Sequence, residues 1–179
     1  MSCYYNPALG QAKHVESREN TVMVQFNNLQ IIGIYIRPLC SADEVVEAIM
    51  FALELTDPEI PNLLAGDVNC RMDRPNSKSQ ALMEPMEEEG FTLNNAAQTK
   101  TYISHSGSST IDLIFYRGNE LKLQSITTNA VSASTPIRKH LPVRAKFQIM
   151  TIKKDKQSGQ RWTQKKHLPR PTTTKHKHG

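Results

Sequence analysis

Asn62-Leu63-Leu64-Ala65-Gly66-Asp67-Val68-Asn69 runs from a nearly all-apolar tetrad into a polar, glycine-led turn. Such a run suits a buried central strand. Ligands of α/β proteins gather at the carboxyl ends of strands of this kind. Asp67 and Asn69, two residues apart in a tight turn, can aim oxygen atoms at one point. They can thereby position water, phosphate or a hard cation such as Mg²⁺. Taken alone, the same four residues are a weak signal and fit better a turn whose Asp and Asn bond only the backbone.

Upstream, Thr21–Phe26 (TVMVQF) and Leu29–Ile36 (LQIIGIYI) read as two strands joined at Asn27-Asn28. Pro38 stops the second. Ser41 and Glu44 have capping-box spacing. The helix that follows, Ala42 to Leu55, sets Val45, Ile49 and Ala52/Leu53 on one face. Asp57-Pro58 ends it. Earlier still, Glu16 and Glu19 fall in a polar, loop-like stretch. Downstream, a polar loop from Cys70 to Ser77 leads to a helix at Ser79–Glu89, stopped by Gly90 and opposed by Pro85. Short strands are expected at Phe91–Leu93, Thr101–Ile103, Thr110–Tyr116, Leu121–Thr127 and Pro142–Met150, with Ser106-Gly107-Ser108 as a hairpin turn. Mostly strand with two helices, the pattern predicts an α/β sandwich.

At 179 residues the chain allows one domain with a tail. Residues 151–179 hold nine Lys/Arg against Asp155, a charge of +8, so residues 1–150 carry −3 of the overall +5. The domain is expected over 1–150. The tail, with almost no apolar periodicity, is expected to be disordered and to attract polyanions or merely to aid solubility. No apolar run approaches the roughly 18 residues of a membrane span. The start lacks a basic region followed by an apolar one, so no secretory signal is read. Cys3, Cys40 and Cys70 are few, odd in number and without zinc spacing. An intracellular setting, nucleus or cytoplasm, is expected.

Asp112 interrupts the apolar strand Ile111–Phe115 (IDLIF). A carboxylate there costs about 2–7 kcal/mol if unpaired, so it needs a partner. His140, just before Leu141-Pro142-Val143, is the natural one. An Asp that orients a His makes the imidazole a base or an electrostatic stabiliser. A surface His and a turn-capping Asp would have the same spacing.

Together, Gly33–Pro38 (GIYIRP), Leu63–Asp73 (LLAGDVNCRMD), Glu87–Asn95 (EEEGFTLNN), Lys100–Ser104 (KTYIS), Gly107–Phe115 (GSSTIDLIF) and Arg138–Val143 (RKHLPV) make a chain that resembles the endonuclease/exonuclease/phosphatase superfamily. The resemblance is greatest to the endonuclease domains of non-LTR retrotransposons. It implies an α/β fold, a four-layer sandwich that is incomplete here, and Mg²⁺-dependent cleavage of phosphodiesters. By it, Tyr35 contacts phosphate, Asp67 positions or activates water and Asn69 binds the phosphate. Asp112 orients His140, which stabilises the developing negative charge. Arg71, Lys139, Arg161, Lys165 and Lys166 are the expected nucleic-acid contacts.

Two departures accompany the resemblance. Where the family has Ser-Asp-His, this chain has Arg138-Lys139-His140. A cation stands where an anion would favour both metal and imidazolium. The family's early strand bearing an Asn and then a metal-ligating Glu is not found, no metal ligand is assigned, and an exposed sheet edge open to oligomerisation is expected. Each loss raises the barrier, and every ~1.4 kcal/mol is tenfold in rate. The expectation is a retroelement-derived domain with DNA as partner, Mg²⁺ as cofactor if active, and weak or lost turnover. The alternative is a non-catalytic module that binds nucleic acid or protein.

Overall fold

The computed structural model describes residues 11–95, 99–128 and 140–150. Their elements are β1 (His14–Arg18), β2 (Thr21–Gln25), β3 (Gln30–Tyr35), α1 (Ala42–Glu54), β4 (Asn62–Asp67), α2 (Ser77–Glu88), β5 (Thr92–Leu93), β6 (Tyr102–Ser104), β7 (Gly107–Ser109), β8 (Asp112–Arg117), β9 (Leu121–Thr128) and β10 (Val143–Ile149). The main sheet has the order β1-β2-β3-β4-β8-β5. Only β3 and β4 run parallel in it. The apolar tetrad does occupy the centre, between β3 and β8.

Side-chain alternation sends Ile32 and Ile34 of β3, Leu64 of β4, and Leu113 and Phe115 of β8 toward the helices. There they join Val45, Ile49, Ala52 and Leu53 of α1 and Leu82 and Met86 of α2 in one core. Each fully buried Leu, Ile or Phe contributes about 1.5–3 kcal/mol. On the opposite face the antiparallel pair β9–β10 packs through Phe147, whose ring centroid lies 5.8 Å from that of Tyr116. Helices, large sheet and small sheet are three of the four layers expected, among the described residues. No helix there is long and apolar enough to cross a membrane.

The capping box at Ser41 and Glu44 forms as its spacing predicts. Three expectations need correction. His14–Arg18, read as loop, is the edge strand. Its backbone pairs with β2 on one side only, so it needs little apolar alternation to be a strand. The second helix runs past Pro85 as expected but begins two residues earlier, at Ser77, capped by Asn76; Pro85 is buried in it beside Met86. Core packing there outweighs the one lost hydrogen bond. The turn placed at Ser106-Gly107-Ser108 sits at His105-Ser106, and Gly107 opens β7 with φ 134°.

Gly66 makes the strand junction possible. A Cβ built there would lie 1.7 Å from the Ile34 carbonyl oxygen, within the parallel ladder. We therefore expect Gly66→Ala to cost about 3 kcal/mol, the upper end for overpacking. Urea denaturation checks this; an unchanged midpoint would contradict it.

Candidate active site

Strand register builds the site. Tyr35 is aligned with Asp67 across the parallel pair, and Asp67 with Asp112 across the antiparallel one. Aligned residues share a face, so the three form a row across β3, β4 and β8. Asp112 alternates with Ile114 and Tyr116, which places the row at the rim of the face that β9–β10 covers. Asp67 and Asp112 each have 22% of the side chain exposed.

The turn after β4 is fixed by backbone bonds. Ile36 N–H donates to the Asp67 carbonyl at 2.9 Å and Val68 N–H to the Ile111 carbonyl at 3.0 Å. Asn69 takes φ 50°, a left-handed conformation that Asn tolerates better than most residues. Its N–H donates to Asp67 Oδ1 at 3.2 Å, and its Nδ2 donates to the Ile36 carbonyl at 2.9 Å. Backbone satisfaction and site placement are thus both present in this turn. Cys70, next in sequence, is a buried thiol pushed up to about 11 by burial first and by Cys40 second. It is inert as a nucleophile.

His140 reaches the row from across the site. Its Nδ1 lies 3.2 Å from each Asp112 carboxylate oxygen, and its Nε2 lies 3.8 Å from Asp67 Oδ2. The Asp112–His140 pairing is therefore made, with Asp67 on the other side of the ring. The Asp67 carboxyl is raised from its ordinary value. Burial is the first cause and the Asp112 charge the second; His140 and the bonds from Asn69 oppose them. A raised carboxylate beside a histidine at the end of a central strand has the character of a general base.

Two carboxylates and an imidazole here offer ligand atoms that all lie within 4.8 Å of one another: Asp67, Asp112 and His140. Hard divalent cations favour such carboxylate oxygens, and a cation would relieve the repulsion that raises Asp67. The donor set fits a divalent ion, although the sequence had suggested no metal ligand beyond the Asp67–Asn69 turn.

Three positioning residues were missed. Thr101, fully buried, accepts through Oγ1 from the N–H groups of Ile111 (3.0 Å) and Asp112 (2.9 Å). Its carbonyl accepts from Leu141 N–H at 2.7 Å, holding His140's neighbour. Asn95 donates to the Asp112 carbonyl at 2.7 Å and accepts from Ile114 N–H at 2.9 Å, acting as a strand partner beyond the end of β5. Tyr102 bridges His140 through the backbone, and its ring meets the imidazole edge-on, centroids 4.9 Å apart. The Thr-Tyr pair after Lys100 stood in a short strand and in the KTYIS stretch of the resemblance, without a role at the site.

Arg71 points into a polar cleft beside Tyr102, its guanidinium bonded to Asp73 at 2.8 and 3.3 Å. Lys139, Arg161, Lys165 and Lys166 lie outside the described residues, as does the whole 151–179 tail.

The family model of endonuclease-reverse transcriptase matches residues 29–136, more than half of the chain. Among solved structures, the endonuclease domain of TRAS1, a telomere-specific non-LTR retrotransposon, is similar at 16% identity and TM-score 0.56, covering 73% of this chain and 60% of that one. An AP endonuclease from Archaeoglobus fulgidus is similar at 13% identity and TM-score 0.57, covering 73% and 65%. An endonuclease/exonuclease/phosphatase from Beutenbergia cavernae DSM 12333 is similar at 18% identity and TM-score 0.55, covering 73% and 39%. The likeness is one of fold, and the chain spans 39% to 65% of the length of these three. A search of curated proteins gave no match.

Proposed function

The chain belongs to the endonuclease-reverse transcriptase family, and from that premise we propose that it is a retroelement-derived endonuclease domain that hydrolyses DNA phosphodiester bonds slowly, with a divalent cation. The observation that supports this reading is the meeting of Asp67, Asp112 and His140 at the end of the central strands.

Asp67, at the end of the central strand and 3.8 Å from His140 Nε2, takes a proton from the attacking water. Asn69 and Tyr35, the latter 36% exposed on the same row, hold non-bridging phosphate oxygens by N–H and O–H donation. Asp112 fixes Nδ1 of His140, so Nε2 faces the reacting phosphoryl group and stabilises the charge that develops on it. Asp67 and Asp112 would hold Mg²⁺. When bound, the ion supplies Lewis-acid polarisation of a phosphoryl oxygen.

Turnover is low because Lys139 adjoins His140 in sequence. Its positive charge opposes both a divalent cation and positive charge on the ring. The same residue favours a second reading, nucleic-acid binding without turnover. Plasmid nicking with Mg²⁺ or Mn²⁺ separates the two. We expect slow nicking that Asp67→Ala abolishes, and a gain of about tenfold or more from Lys139→Asp, since ~1.4 kcal/mol of barrier is one decade. Nicking that persists in Asp67→Ala would sink the assignment. DNA binding with no nicking, even in Lys139→Asp, would favour the second reading.

A further inference from the structure

A cleft of about 600 Å³ is lined by Tyr102, whose ring also meets His140. Arg71, Asp73, Arg74, Lys100 and the serines of the β6–β7 hairpin line it. Three cations face one carboxylate, for a local charge of +2. None of the residues of the catalytic row lines it.

Asp73 organises these cations. Its side chain is 9% exposed, and it accepts from Arg71 Nη2 at 2.8 Å, Lys100 Nζ at 3.2 Å and Thr110 N–H at 3.3 Å. The Arg71 hydrogen bond, the largest cause, with Lys100 behind it, holds the Asp73 carboxyl well below the usual range. One half-buried anion thus clamps two cations that would otherwise repel each other. Arg71 also donates to the Ser108 carbonyl at 3.3 Å, which ties loop and hairpin together. About two fifths of each cation's side chain stays exposed (39% for Arg71, 37% for Lys100). Arg74 is exposed in the same cleft.

We propose that this cleft is a second phosphate site, which takes the backbone of the nucleic-acid strand next to the bond held by His140. The proposal rests on the DNA-cleaving reading of the neighbouring site. Its chemistry supports a phosphodiester. Arg71 arrives with its plane fixed by Asp73, so little freedom is lost on binding. Lys100 and Arg74 add charge, and the seryl hydroxyls can donate to phosphate oxygens. Tyr102 belongs to both sites, so a strand leaving the catalytic row enters the cleft directly. Contacts of this kind fix register and carry no sequence preference.

The test is equilibrium binding of the full chain to a short DNA duplex in EDTA, as a function of salt. Each phosphate contact contributes about 0.9 to the slope of log K against log salt. The Arg74→Gln/Lys100→Gln double variant should lower that slope by about 0.9 per phosphate released, equally for unrelated duplex sequences. Arg74→Lys/Lys100→Arg should keep the slope. Thermal melting of both variants reports on folding. An unaltered slope in a folded double variant overturns the site and leaves the Asp73 cluster as a staple between loop and hairpin. Equal weakening of inorganic phosphate and duplex binding, with no slope change, would mark a free-anion site and overturn the strand proposal. Because EDTA removes cleavage, a chain that never nicks can pass, and one that nicks normally can fail.

Discussion

Asp112→Asn is expected to slow DNA nicking about 10²–10⁴-fold, the range for losing an oriented general acid–base group. Both Asp112 oxygens lie 3.2 Å from His140 Nδ1. An Asn can offer its oxygen or its NH₂ group there, so the ring loses its fixed orientation and its charge partner. His140→Ala should cost about as much as Asp112→Asn, and the double variant little more than the worse single, because groups that act as a unit are not additive. Single-turnover nicking measures all three. If Asp112→Asn stays within tenfold of wild type while His140→Ala fails, the carboxylate only holds the loop.

That comparison bears on how the site was legible. A carboxylate inside IDLIF demands a partner on energetic grounds, so the sequence itself announces a pairing for Asp112. The G-D-x-N turn announced itself as the polar end of an apolar strand. The Thr21–Tyr35 hairpin and the α1 cap were equally clear, because each depends on residues a few positions apart. Thr101, Asn95 and Tyr102 were not legible. Thr101 and Asn95 act only because β8 outruns its partner β5 and exposes backbone groups for side chains to satisfy, and Tyr102 acts through a bridge to His140, 38 residues on. The Arg71–Asp73–Lys100 cluster joins residues 27 apart, and β1 owes its strand character to pairing rather than to apolar residues. Local chemistry is written in short spacings, whereas the supports of the site are written in the topology.

Asp67→Asn should abolish nicking yet raise the melting temperature at neutral pH in chelated buffer. Asp67 titrates high chiefly because burial disfavours its charge, and next because Asp112 faces it. Its proton affinity is therefore greater in the folded chain than in the unfolded one. The sign follows: Asp67 supports folding fully only below its unfolded pKa, while protonated. That support is lost as pH climbs through the raised folded value. Asn keeps the acceptor for Asn69 N–H, with no charge to desolvate. Wild type and variant should thus melt alike in acid, and the variant should pull ahead as pH rises. Wild-type nicking should move the opposite way, increasing with pH, because only the ionised Asp67 can accept a proton. Melting curves across pH decide it. A variant less stable than wild type at neutral pH would mean that the Asp67 charge holds the site together, and its part as a strained, waiting base would be lost.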